Sequence, residues 1–217
     1  MSKKNTYYSA SMYDEAIRSI RTNIQFSSLD KKNNIIAVTS TKPSEGKSTV
    51  IYKLAKSFAD NGERVILIDC DLRSPSLYEI AGINDNVGVT NYLTGKVSIQ
   101  RAINKDRDQA NLDLIFTGPV PPNPAEILAS QVFKKFIEDL SEVYDYVFID
   151  TPPVGLFTDA SIVSTLCDGV IFVIKSSDTK KEDITLALDN LKKVDAHILG
   201  AVLTYVPMKD KRYGNYY

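Results

Sequence analysis

Six short runs of apolar, largely β-branched residues constrain this chain more than anything else in it. They are IIAVTS at 35–40, RVILID at 64–69, NLDLIF at 111–116, DYVFID at 145–150, GVIFVIK at 169–175 and HILGAVLTYV at 197–206. Each is nearly continuous rather than alternating, which is how strands buried on both faces of a parallel sheet read. Helix-length segments separate them: Lys47–Asp60, Pro124–Val143, Asp159–Leu166 and Lys180–Val194. The last carries Ile184, Leu188 and Leu191 at helical spacing. Strands alternating with helices and joined by right-handed crossovers predict an α/β fold, a doubly wound and mostly parallel sheet. One more helix is expected over about Met12–Phe26, where Ile17, Ile20 and Ile24 make an apolar stripe for the sheet domain or a partner. Residues 1–206 read as one domain, with residues 1–10 loose and 207–217 a flexible tail.

Composition removes several classes of function. Lys and Arg total 26 against 27 Asp and Glu, a formal charge of −1, so no basic excess points to nucleic acid. Cys70 and Cys167 are too far apart for a CxxC metal site, and His197 is the only histidine. The opening MSKKNTYYSASMYDE lacks the apolar run of a signal peptide, and no window approaches the length of a membrane span. The chain is expected to be neither secreted nor self-inserting.

Three motifs sit at strand ends. Thr41-Lys42-Pro43-Ser44-Glu45-Gly46-Lys47-Ser48-Thr49 lies between a strand and a helix and reads as a P-loop, with Thr41 where the usual pattern has its first glycine. Its backbone N–H groups would wrap phosphates at a helix N-terminus. Lys47, expected on the solvent side, would reach the β and γ phosphates, and the Ser48 hydroxyl would bind Mg2+. Next, Asp69-Cys-Asp71-Leu-Arg73 follows RVILI and places two carboxylates at the C-terminal end of a strand, where ligands bind in open parallel sheets. Last, Asp150-Thr-Pro-Pro153 follows DYVFI, the Walker B arrangement of a strand-end acid for Mg2+. Lys47, Asp69, Asp71 and Asp150 are thus the candidate catalytic residues, and Ser48 and Asp150 are candidate metal ligands.

In this order the three motifs resemble those of the bacterial protein-tyrosine kinases of capsule and exopolysaccharide synthesis, P-loop proteins related to partition and septum-site ATPases. Gly88-Val-Thr-Asn-Tyr-Leu-Thr-Gly95 and Gly118-Pro-Val-Pro-Pro-Asn-Pro-Ala-Glu-Ile-Leu128 match as well, and the similarity runs from about Tyr13 to Tyr217. The resemblance implies transfer of the γ-phosphoryl group of ATP to tyrosine, with Mg2+ as cofactor. It makes Glu15, Arg18 and Arg21, spaced by three on the first helix, an oligomerisation motif for a ring, an octamer in relatives. Tyr213, Tyr216 and Tyr217, three of the last five residues, become the autophosphorylation cluster. It further implies a membrane polysaccharide co-polymerase whose cytoplasmic tail activates the kinase, a cognate phosphotyrosine phosphatase, and a place in the cytoplasm against the inner face of the membrane.

Which of Asp69 and Asp71 takes the tyrosine proton is not fixed by spacing; the resemblance gives that role to Asp69 and makes Asp71 a metal ligand with Ser48 and Asp150, and Arg73 is left to orient phosphate or an acid. A partition-type or septum-site-type ATPase switch remains as the alternative, because Lys42 falls where that group has its signature lysine. A nucleotide-binding adaptor without catalysis is a third reading, against which the set of three acids stands.

Overall fold

The computed structural model describes residues 3–27 and 34–207. In chain order the elements are α1 (Lys3–Phe26), β1 (Ile35–Ser40), α2 (Lys47–Asp60), β2 (Val65–Asp69), α3 (Leu77–Ala81), α4 (Val89–Leu93), α5 (Ile99–Ala102), β3 (Ile103–Lys105), β4 (Leu112–Ile115), α6 (Pro124–Leu128), α7 (Gln131–Val143), β5 (Tyr146–Asp150), α8 (Asp159–Ser164), β6 (Gly169–Lys175), α9 (Lys181–Lys192) and β7 (Ile198–Thr204). All six expected strands are present. With β3 they form a seven-stranded sheet of order β3-β4-β2-β5-β1-β6-β7. Every pairing is parallel except that of β3 with β4.

The continuous apolar runs reflect burial on both sides. In β2, Val65 and Leu67 face one layer while Ile66 and Ile68 face the other, as the two-residue period of a strand requires. The first layer is closed by α1, α2 and α3 through Ile17, Ile24, Ile51, Leu54, Phe58 and Leu77. The second is closed by α6 to α9 through Leu128, Phe133, Phe136, Val163, Ala187 and Leu191.

Three local expectations change. Residues 3–10, expected to be loose, belong to α1, and no Gly or Pro from Lys3 to Phe26 interrupts it. The segment Pro124–Val143 is two helices, because Ser130 caps the second: its Oγ accepts the Phe133 N–H at 3.1 Å. Strand β3 and the three short helices before it escaped periodicity, since none exceeds five residues.

The topology decides where chemistry can occur. Strands β2, β5 and β1 are neighbours, so the P-loop after β1, Asp69 ending β2 and Asp150 ending β5 meet at one end of the sheet. Register sharpens this further, because Asp69 and Asp150 are directly paired across β2 and β5.

Candidate nucleotide and metal site

The P-loop backbone coils through two left-handed residues, Ser44 (φ 61°) and Gly46 (φ 88°), before α2 begins at Lys47. Alternating left- and right-handed residues gather N–H groups into an anion-binding concavity. Gly46 gives α2 no side-chain cap, so the first-turn N–H donors remain available to phosphate. Glu45 is almost fully buried and braces the loop: its Oε2 accepts from the Thr41 and Lys42 N–H groups at 2.8 and 3.0 Å, and its Oε1 from the Thr179 hydroxyl. From the far side, Thr204 Oγ1 donates to the Glu45 carbonyl at 2.7 Å. Of the P-loop residues expected to hold nucleotide, Glu45 therefore contributes backbone only. The start of the loop packs closely on a glycine elsewhere: a Cβ on Gly155 would stand 2.4 Å from the Thr41 carbonyl oxygen.

Lys47 is not on the solvent side. It is buried, and its Nζ donates to Asp71 Oδ2 at 2.8 Å. Burial works against its charge, but Asp150, Asp71 and Asp69 outweigh this and raise its pKa. Asp71 Oδ1 accepts the Ser74 N–H at 3.0 Å. Asp69 is fully enclosed, with Oδ1 accepting from the Asp71 N–H at 3.0 Å and Oδ2 from the Leu77 N–H at 3.3 Å. Its pKa is pushed up by burial and then by the neighbouring charges of Asp150 and Asp71.

Asp150 differs from the other two acids. It has no solvent exposure, and neither carboxylate oxygen makes a hydrogen bond of normal geometry among the described residues, although the Ser48 hydroxyl and the Thr151 N–H lie near it. Burial raises its pKa, and Lys47 and Ser48 offset this only in part. An orphaned, buried carboxylate is costly unless something charged joins it. A divalent cation at the strand ends fits, with the Ser48 hydroxyl beside it. Among the described residues no three His, Cys, Asp or Glu side chains form an all-protein metal cage. Mg2+ keeps waters and takes ligands from phosphate rather than filling its shell with side chains.

Arg73 orients an acid. Its Nε and Nη2 donate to Asp159 Oδ2 and Oδ1 at 2.8 and 2.9 Å, and its guanidinium stacks on Phe157, 4.3 Å from the ring centroid. This clamp ties the loop after β2 to the start of α8, the helix that follows β5. Asp159 had read in sequence as a first-turn helix acid, and only the fold brings it to Arg73. Because Asp159 is buried and Arg73 partly exposed, Arg73→Ala is expected to cost about 2–4 kcal/mol. Arg73→Lys should recover only part of that, since a point charge cannot make the bidentate contact. Thermal unfolding measures both, and an unchanged midpoint in the alanine variant would contradict the clamp.

Lys42 turns away from the cradle, with Nζ 3.4 Å from the Asp178 carbonyl and 3.9 Å from the Asp183 carboxylate. On α1, Glu15 and Arg18 are exposed and pair at 3.2 Å. Arg21 does not share their outward face. It borders the Ile17 and Ile24 stripe that packs on α2, and its Nη1 donates to the Ser57 carbonyl at 2.6 Å. Tyr213, Tyr216 and Tyr217 lie outside the described residues. A cavity of about 780 Å3, lined by Leu128, Val154, Phe157, Ile162 and Leu166 among others, holds no carboxylate, histidine or cysteine. It is therefore not where this chemistry occurs. No helix among the described residues is long and apolar enough to cross a membrane.

Comparison with known proteins agrees with this geometry. A family model described as an AAA domain matches residues 33–202. The chain is 38% identical over 207 residues to tyrosine-protein kinase YwqD of Bacillus subtilis (strain 168), covering 95% of this chain and 87% of that one. It is 36% identical over 204 residues to tyrosine-protein kinase CpsD of Streptococcus agalactiae, covering 94% and 88%. The crystal structure of the chimerical protein CapA2B2 superposes with a TM-score of 0.86 at 33% identity, over 89% of this chain and 84% of that one. The septum site-determining protein MinD of Pyrococcus horikoshii OT3, solved with Mg-ADP, is a more distant likeness: TM-score 0.65, 26% identity, 78% and 69% coverage.

Proposed function

Because the chain belongs to the bacterial tyrosine-protein kinases of the capsule type, we propose that the strand-end site transfers the γ-phosphoryl group of ATP to a tyrosine hydroxyl in the control of capsular or exopolysaccharide synthesis. The observation that carries the reading is the orphaned Asp150 carboxylate beside Lys47 and the open N-terminus of α2. The amides of residues 46–49 hold the phosphates. Lys47, now paired with Asp71, shifts its ammonium onto the transferring group and offsets the charge that spreads over its oxygens. Asp150, Asp71 and Ser48 hold Mg2+, which when bound neutralises phosphate charge. The tyrosine oxygen forms the new bond to phosphorus as the bond to the bridging oxygen of ADP breaks.

The phenol has a pKa near 10 and arrives protonated. Asp69, at the end of β2 between the other two acids, accepts the proton. Leu77 and Asp71 N–H groups keep its carboxylate in place. Asp69→Asn should lower the transfer rate and spare nucleotide affinity, whereas Asp71→Asn should weaken Mg2+-dependent binding.

The acceptors are Tyr213, Tyr216 and Tyr217 of a neighbouring copy within a ring. Glu15 and Arg18 offer the exposed charged face on α1, and Arg21 serves that interface by fixing the helix to α2. Ten residues from Pro207 to Tyr217 span at most about 35 Å, enough to cross a subunit boundary. A membrane activator with a cytoplasmic tail brings the ring to the inner face of the membrane, and a phosphotyrosine phosphatase resets it. Each phosphotyrosine adds about −1.5 to −2 charge. Modified tails therefore repel one another and the acidic site.

The test mixes two proteins. One is Asp150→Asn with an intact tail. The other is active but has Phe at 213, 216 and 217. With ATP and Mg2+, label on the Asp150→Asn chain is expected, and it should vanish when Arg18 is replaced by Ala. An unlabelled mixture beside a self-labelling wild type would show transfer within one chain. If wild type labels no tyrosine at all, the kinase assignment of this site fails.

A further inference from the structure

We propose that Tyr205 is the surface on which the base of the bound nucleotide stacks, an inference that rests on the nucleotide reading of the P-loop. The cradle of residues 41–49 supplies N–H donors and an ammonium for phosphates, but nothing flat or apolar for a base. The ribose carries the base out of the cradle to its rim. One aromatic ring is fixed there.

Tyr205 follows the last residue of β7 and has φ 53°, a left-handed conformation that costs a bulky residue of order 1–3 kcal/mol. Such a residue persists only when its surroundings hold it: the strand end before it is tied to the P-loop, and its ring faces Gly46 and the Lys175 ammonium. Thr204 Oγ1, one residue earlier, donates to the Glu45 carbonyl of the P-loop at 2.7 Å. The Cε2 edge of the ring lies 3.7 Å from where a Cβ on Gly46 would stand. The Lys175 ammonium sits 5.3 Å from the ring centroid, and is itself 3.5 Å from the Asp178 carboxylate. Despite these contacts the residue remains 66% exposed.

A pinned ring with most of its surface in water, against the P-loop glycine, is pre-organised for a flat partner: its order is already established before the ligand arrives. Bases stack on aromatic side chains through their π-faces, which all bases share. The Tyr205 ring therefore contributes affinity for a purine nucleotide without reading base edges. The phenol hydroxyl is not needed.

The full chain is tested by measuring Kd for Mg-ATP, Mg-GTP and Mg-tripolyphosphate with wild type, Tyr205→Ala and Tyr205→Phe. Tyr205→Ala is expected to weaken ATP and GTP alike, by roughly tenfold, with tripolyphosphate unchanged within twofold. Tyr205→Phe should match wild type. A Tyr205→Trp variant adds a second reading: the chain has no tryptophan, so the new indole is the only one, and its emission should be quenched by ATP and not by tripolyphosphate. Unchanged ATP affinity in the alanine variant overturns the proposal, as does equal loss for ATP and tripolyphosphate, which would mean that Tyr205 acts by shaping the loop. Wild type that binds neither ligand would overturn the P-loop reading itself, a result distinct from either.

Discussion

A Lys47→Met protein will transfer phosphate far more slowly than wild type and will also unfold at a lower temperature. Loss of transfer follows from the missing charge at the phosphates, and a drop of at least about 10²–10³ is expected where one preorganised electrostatic contact is removed. Loss of stability follows from the position of the side chain. Lys47 is buried, bonded to Asp71 at 2.8 Å, and faces the charges of Asp150 and Asp69. Breaking a buried pair by deleting one partner costs about 3–5 kcal/mol. At roughly 2–4 °C per kcal/mol for a chain of this size, the midpoint should fall by about 6–20 °C. The deficit should depend on pH in a defined sense. Asp69 and Asp150 have folded pKa values above those of the unfolded chain, so their burial is least costly at low pH and weighs on stability as pH rises. Lowering the pH from 8 toward 5 should therefore narrow the gap between variant and wild type. A midpoint equal to that of wild type at pH 8 would show that the lysine contributes nothing to holding the acids together.

Asp150→Asn should move stability and function in opposite directions. The wild-type carboxylate is fully buried with neither oxygen in a hydrogen bond of normal geometry. Removing that charge should stabilise the nucleotide-free protein by about 1–3 kcal/mol, a rise of about 2–12 °C in the midpoint. On the proposed reading the same change also removes a Mg2+ ligand. Wild type should gain about 2.7 kcal/mol from Mg-ATP at a hundred times its Kd, and the variant almost none. The two melting curves should therefore exchange order when Mg-ATP is added. The pH slope supplies a control. Wild-type stability should decline as pH climbs from about 4, the unfolded carboxylate value, through the raised folded value, and the variant should lack that part of the decline. A lower midpoint for nucleotide-free Asp150→Asn would mean that the carboxylate has a stabilising partner and is not waiting for a cation.

The sheet was legible because two-sided burial writes itself into sequence as unbroken apolar runs, and the three strand-end motifs were legible because each sits immediately after such a run. Contacts between loops distant in sequence were not. Nothing around Asp159 distinguishes it from any acid in the first turn of a helix, so its pairing with Arg73 emerges only when β2 and β5 lie side by side. Arg21 shows the converse limit. Spacing of three put it in line with Glu15 and Arg18, but it also follows Ile17 by four, and the packing of α1 on α2 turned it to Ser57. Glu45 was read as part of a phosphate loop when its side chain is an internal strut. In each case the residue type was right for two roles, and tertiary packing chose between them.

Gly155 carries a lesson about how motifs should be altered. The close approach to Thr41 tolerates no Cβ at position 155, where an added carbon would lie 2.4 Å from a backbone oxygen. Steric permission at the start of the P-loop thus resides partly on a loop more than a hundred residues downstream. Anyone grafting this P-loop into another scaffold would have to transplant the facing glycine with it. Restoring glycine at position 41 alone would not free position 155, because the clash is with the backbone that both residues at 41 would share.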